Sequence, residues 1–241
     1  MGQGMESVLI TGTSSGIGAA TADLFIQKGY DVIGIDRKPP ILDHRHFQHY
    51  TADIRDKHQL PLIGGLSYLI LNAGVLYREE DPIGVNLYGT FNCEDIYIKG
   101  NLDSLRAVVI LSSTAAHDGQ DCREYVASKG GLLSYTRHLA QLLAVYGIRV
   151  NSLSPGAGET PMNRGFMDDE TYKAVAEANM MKRWNQPEEC AKYVYFMAVD
   201  ATFTTGADLL IDGGEMIRTR YVWGKHEVPD YPQDVPQQKF S

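Results

Sequence analysis

The sequence predicts the α/β class: a single domain on a doubly wound parallel sheet of about seven strands, with helices on both faces. Short apolar runs alternate with helix-periodic stretches, the βαβα order of such sheets. Several runs are apolar throughout, as in Val108-Val109-Ile110-Leu111, which fits strands covered on both faces. The chain has 241 residues, 44% hydrophobic and 22% charged, enough for one such domain with a sizeable core.

Taken in order, residues 7–10 form a β-compatible run ending at Thr11-Gly12. Residues 18–28 have helical spacing, with Ala19, Ala22, Phe25 and Ile26 on one side and Gly29 as a stop. Strands are expected at 31–36, 47–51, 66–72, 107–112, 148–153 and 208–212, and helices at 83–97, 124–146 and 187–199. Residues 7–214 read as the catalytic domain and 1–6 as a disordered or tag-derived leader. Pro229, Pro232 and Pro236 mark 215–241 as an extended arm.

A net charge of −8 argues against a nucleic-acid partner. Cys93, Cys122 and Cys190 show no metal-ligand spacing and suit a reducing, cytoplasmic setting. No apolar run approaches membrane-spanning length, and no membrane association is expected.

The first strand runs into Gly12-Thr13-Ser14-Ser15-Gly16-Ile17-Gly18 and then a helix. Glycines there let the backbone approach a pyrophosphate, and the helix start presents free N–H groups. Alone, such a turn is equally a structural feature. Asp36, 18 residues past Gly18 at the end of the second strand, strengthens the case for a dinucleotide-binding Rossmann fold. Its carboxylate can accept hydrogen bonds from the adenosine ribose hydroxyls and repel a 2′-phosphate, which favours NAD. Arg37 points the other way, since a guanidinium can pair with that phosphate.

The spacing Thr-Gly-x-x-x-Gly-Ile-Gly resembles the short-chain dehydrogenase/reductase family, from about Ser7 to Gly214. Asp53 and Ile54 fall where the family holds the adenine. Asn72-Ala73-Gly74 matches its Asn-Ala-Gly motif, and Asn86 its helix asparagine. Ser112-Ser113 and Tyr125-Val126-Ala127-Ser128-Lys129 match its catalytic serine and Tyr-x-x-x-Lys signature. Pro155, Gly156, Gly158 and Thr160 resemble its nicotinamide-side loop. The resemblance implies a homodimer or homotetramer acting on a small-molecule alcohol or ketone, and no metal.

Tyr125 and Lys129 are four apart and share one helix face. A tyrosine of pKa about 10 is a poor base near neutrality. An ammonium and a positive nicotinamide ring nearby would both favour phenolate; lowering the pKa by ~3 units needs roughly 4 kcal/mol. Tyr125 would then exchange the alcohol proton as hydride moves. Lys129 would hold the nicotinamide ribose, and Asn86 would position a water linking Lys129 to solvent. Ser113, at the strand end, is the expected substrate-orienting serine, with Ser112 the alternative because of the family's usual spacing to the tyrosine.

Only 19 positions separate Asp53 from Asn72, and 14 separate Asn72 from Asn86, so two of the family's helices must be trimmed. The compact layout resembles bacterial hydroxysteroid dehydrogenases, and Ala115-Ala116-His117 dihydrodiol dehydrogenases. A lid over about 161–186 carries Met162, Phe166, Met167, Tyr172, Met180, Met181 and Trp184, which suits a hydrophobic or cyclic substrate, or packing of the lid on the core. His44, His46 and His49 read as a solvated loop rather than a metal site, and His117 as a cleft residue or a plain loop histidine. Two alternatives remain: an NADPH-dependent ketoreductase, resting on Arg37, and a non-catalytic dinucleotide sensor, against which the complete Asn86, Ser113, Tyr125 and Lys129 set argues.

Overall fold

Residues 5–165 and 167–217 are described in a computed structural model, Arg78 by its backbone alone. Residues 1–4, Phe166 of the lid and most of the proposed arm (218–241) lie outside the described residues.

Seven strands form one parallel sheet in the order β3-β2-β1-β4-β5-β6-β7. They are β1 (Ser7–Thr11), β2 (Asp31–Asp36), β3 (Phe47–Thr51), β4 (Tyr68–Leu71), β5 (Ala107–Leu111), β6 (Arg149–Pro155) and β7 (Asp208–Ile211). β2 and β3 have the bounds expected from sequence. The expected strand 66–72 contracts because its flanking N–H groups have other partners: Leu66 donates to Asn101 Oδ1 and Asn72 to Thr11 Oγ1.

Successive strand residues feed opposite cores, as the pleat requires. Leu9, Leu69, Val108 and Ile110 face α2 (Gly89–Tyr97) and α4 (Arg123–Leu143), meeting Cys93, Tyr97, Leu132 and Leu139. Val8, Ile10, Ile70 and Val109 face α1 (Gly16–Gln27) and α7 (Pro187–Tyr195), meeting Ala22, Phe25 and Val194. Burying each such aliphatic side chain contributes about 1.5–3 kcal/mol, so continuous apolar runs are what a two-faced sheet requires.

The shortened spacings take a definite form. Between β3 and β4 the helical structure is one 3-10 turn, Lys57–Gln59, and between β4 and residue 83 one more, Arg78–Glu80. The chain then winds as a π-helix over Ile83–Tyr88 before entering α2. Three short helices complete the fold: α3 (Ala115–Asp118) after the serines, and α5 (Pro161–Arg164) and α6 (Asp169–Ala178) in the lid.

Both expected domain edges move. Glu6 belongs to the fold: its carbonyl accepts from Asp31 N–H at 3.0 Å, and its carboxylate pairs with Arg106. At the other end, Glu215 belongs to the wall of the cleft described next.

Candidate active site

The strand order reverses between β1 and β4, whose connections leave in opposite directions and open a crevice at the strands' C-terminal ends. There lies a cleft of about 670 Å³. Its floor is the glycine turn, where Gly12 has φ +80°, a conformation that disfavours other side chains. Gly18 does not line the cleft; a Cβ on it would stand 2.0 Å from the Gly12 carbonyl oxygen, so it lets α1 pack against the strand end. Ser15, Gly16 and Ile17 line the cleft at the start of α1. This cradle, the dimensions of the cleft and the open helix N-terminus fit a dinucleotide pyrophosphate.

Asp36, Arg37, Asp53 and Ile54 line one end of the cleft. Asp36 accepts from Ser14 N–H at 3.0 Å and from Lys38 N–H at 2.9 Å, which fixes its carboxylate. Ser14 itself sits behind the wall, its hydroxyl donating to the Lys38 carbonyl. Arg37 is paired with Glu80 at 3.1 Å, and Asp53 with Arg55 at 2.6 Å, which holds the Asp53 carboxyl below its usual range. In the middle, Asn72 ties β4 to β1, its Nδ2 donating to the Thr11 carbonyl at 2.9 Å, while Ala73 and Gly74 line the cleft beside it.

Ser113, Tyr125 and Lys129 line the cleft as well, as do Pro155, whose carbonyl accepts from Thr114 N–H at 3.0 Å, and Gly156, Gly158 and Thr160. The Ser113 hydroxyl accepts from Ala115 N–H at 3.2 Å. Ser112 is buried and donates to the Lys129 carbonyl at 3.0 Å. Lys129 Nζ donates to the Leu111 carbonyl at 2.7 Å and lies 5.7 Å from the centre of the Tyr125 ring.

Burial dominates the protonation balance of Tyr125 and Lys129. Burial pushes the Tyr125 hydroxyl up to about 12, with Asp121 and Cys122 raising it further and Ser113 alone lowering it. Burial also pushes Lys129 down to about 8. The Lys129 ammonium donates to the Leu111 carbonyl rather than to the phenol.

Asn86 is wholly buried behind the wall, in the π-helix. Its side chain donates to the Val75 carbonyl and to Ser128 Oγ and accepts from Val75 N–H, so that amide is spent on holding the loop after Gly74. His117 turns away from the cleft to Ser154 Oγ and Asp208 Oδ2, at 3.2 and 3.0 Å. Asp208 Oδ1 also accepts from Ser152 and Ser154, which ties α3 to β7. His46 pairs with Asp31, and His49 contacts the Lys38 carbonyl. Among the described residues no group of three or more His, Cys, Asp or Glu could hold a metal ion.

Of the lid residues, Met162, Met167 and Trp184 line the cleft, joined by Val175. Tyr172 stacks on Trp184 at 4.3 Å, and Met180 and Met181 are largely exposed. Sequence reasoning missed Glu80, Asp121 and Glu215, all in the wall. Asp121, four residues before Tyr125, carried a signal, since that spacing places a charge near the phenol.

Residues 78–215 match the family model described as enoyl-(acyl carrier protein) reductase, and residues 8–63 match the NAD-dependent epimerase/dehydratase family. The chain is 32% identical over 242 residues to glucose 1-dehydrogenase of Gluconobacter oxydans, covering 87% of this chain and 91% of that one. It is 32% identical over 239 residues to a 3-oxoacyl-[acyl-carrier-protein] reductase of Thermotoga maritima, covering 87% and 97%. The crystal structure of a short chain dehydrogenase family protein from Francisella tularensis superposes with a TM-score of 0.79 at 27% identity, covering 89% of this chain and all of that one.

Proposed function

The chain belongs to the short-chain dehydrogenase/reductase family, and we propose that it interconverts a secondary alcohol and its ketone with NAD(H), Tyr125 carrying the proton. The observation behind this reading is that one cleft is lined both by Ser113, Tyr125 and Lys129 and by the fixed carboxylate of Asp36. A nicotinamide dinucleotide, when bound, supplies the hydride acceptor or donor.

This chain's residues do the rest. In oxidation the carbinol hydrogen leaves as hydride and the hydroxyl proton passes to Tyr125; in reduction Tyr125 returns it to the carbonyl oxygen. Ser113 orients that oxygen and stabilises its developing charge. The raised pKa of Tyr125 keeps it protonated near neutrality, ready to donate. Acting as a base requires a cation closer to the phenol than Lys129 now stands.

The substrate we infer is neutral and cyclic, dihydrodiol- or hydroxysteroid-like. Met162, Met167, Val175 and Trp184 give the pocket an apolar side. Asp121 and Glu215 give it an acidic one, both raised by burial. Among the described lining residues the cations are Arg37 and Lys38 at the adenosine end and the inward-bonded Lys129, so no free cation meets a substrate carboxylate or phosphate. Glucose, the substrate in one relative's name, has this neutral character; an acyl carrier protein does not. Among the described residues no helix is long and apolar enough to cross a membrane.

The test is a screen of neutral cyclic alcohols, dihydrodiols, hydroxysteroids and sugars with NAD, followed by Tyr125→Phe on the best substrate. We expect turnover to fall by about 10²–10⁴-fold with NADH affinity kept. Near-full turnover in the variant overturns the proton-transfer assignment.

A further inference from the structure

The cleft has a second ionic feature, at its adenosine end. Arg37 Nη2 donates to Glu80 Oε1 at 3.1 Å, and both residues line the cleft. Arg37 follows β2, whereas Glu80 closes the 3-10 turn Arg78–Glu80 between β4 and the π-helix. Both side chains are partly exposed, at 46% and 35%, so the pair is wet and does little to hold the fold together.

Its effect on a bound nucleotide is larger. Asp36 is held by two backbone N–H groups and cannot swing away from an incoming phosphate without breaking both bonds. A 2′-phosphate at the adenosine ribose would therefore need a cation to offset that carboxylate, and Arg37, the next residue, is the one whose guanidinium could clasp it bidentately. As the structure stands, Arg37 must first release Glu80, and Glu80 would then remain as an unpaired negative charge beside the phosphate. Lys38 also lines this end, but no ion pair restrains it among the described residues, so its contribution is the same whatever Glu80 does.

We propose that Glu80 is a cofactor-specificity residue: by pairing with Arg37 it disfavours dinucleotides bearing a 2′-phosphate. This rests on the reading that the adenosine ribose lies at Asp36. Glu80 touches no reacting atom and acts through Arg37.

The experiment is a four-way titration with NADH and NADPH, read by nicotinamide fluorescence, on the unmodified chain, Glu80→Gln, Arg37→Ala and the double variant. Glu80 lies on an exposed turn, and a thermal melt of each variant confirms folding. In Glu80→Gln we expect NADPH to bind about fivefold more tightly, with a smaller change for NADH. In the Arg37→Ala background that gain should vanish, since the cycle isolates the pair. An unchanged NADPH-to-NADH ratio in folded Glu80→Gln overturns the proposal, and so does an equal gain without Arg37. Tighter NADPH than NADH binding by the unmodified chain would instead defeat the NAD reading, while the response to Glu80→Gln would still decide the role of Glu80.

Discussion

The ammonium of Lys129 donates to the carbonyl of Leu111 at 2.7 Å, at the end of strand β5, rather than to the phenol of Tyr125 one helical turn away. This bond locks α4 to the sheet and leaves a cation in a dry place.

That cation should be legible in the pH dependence of stability. Burial lowers Lys129 to about 8 from an ordinary value of 10.5. A folded pKa below the unfolded one adds stability above pH 10.5 and withdraws it as the pH falls through about 8. Lys129→Met removes this dependence. Its stability relative to the unmodified chain should improve between pH 10 and pH 7, by at most roughly 3 kcal/mol, in urea denaturation at the two pH values. A pH-independent difference would mean that Lys129 is solvated. The lost bond to Leu111 shifts both measurements equally and leaves the slope intact.

The two neighbouring serines should separate cleanly. Ser113→Ala removes the hydroxyl that meets Tyr125, and kcat should fall by about 10–100-fold with little change in melting temperature. Ser112→Ala removes a buried bond to the Lys129 carbonyl, at a cost of about 1 kcal/mol of stability, and should retain more turnover. The reverse ranking in kcat would give Ser112 the substrate.

The floor of the cleft offers a steric test. Gly18→Ala places a methyl group 2.0 Å from the Gly12 carbonyl oxygen, so the turn must move. We expect NADH affinity to fall at least about tenfold and stability to drop by about 1–3 kcal/mol. Gly130→Ala is the matched control: it lies inside α4 with nothing within 4 Å of the new methyl group. It should stabilise the chain by about 0.5–1 kcal/mol. If the two behaved alike in a cofactor titration, close packing of α1 against β1 would not govern binding.

Much of the architecture is legible in the sequence because the sheet is covered on both faces. Runs such as Val108–Leu111 have no polar position to blur them, and β2 and β3 emerge with their bounds unchanged. The glycine turn, Asp36 and the Tyr125–Lys129 pair are legible for a similar reason: each is a local spacing. What escapes is what depends on distant partners. Nothing near Glu80 in the chain hints at Arg37, 43 residues earlier. Nothing near Lys129 hints that its ammonium donates to the Leu111 carbonyl. α5 is four residues long and its periodicity carries no signal. The π-helix at Asn86 is a backbone winding that apolar periodicity does not encode, and with it the amide of Asn86 is committed to Val75 and Ser128.

Asp208 stands on the edge strand β7, yet its carboxylate gathers Ser152, Ser154 and His117, and α3 begins two residues after Ser113. The turn that carries Ser113 thus hangs from the rim of the sheet. A push on that rim, such as a substitution in β7, has a short mechanical path to the wall of the cleft.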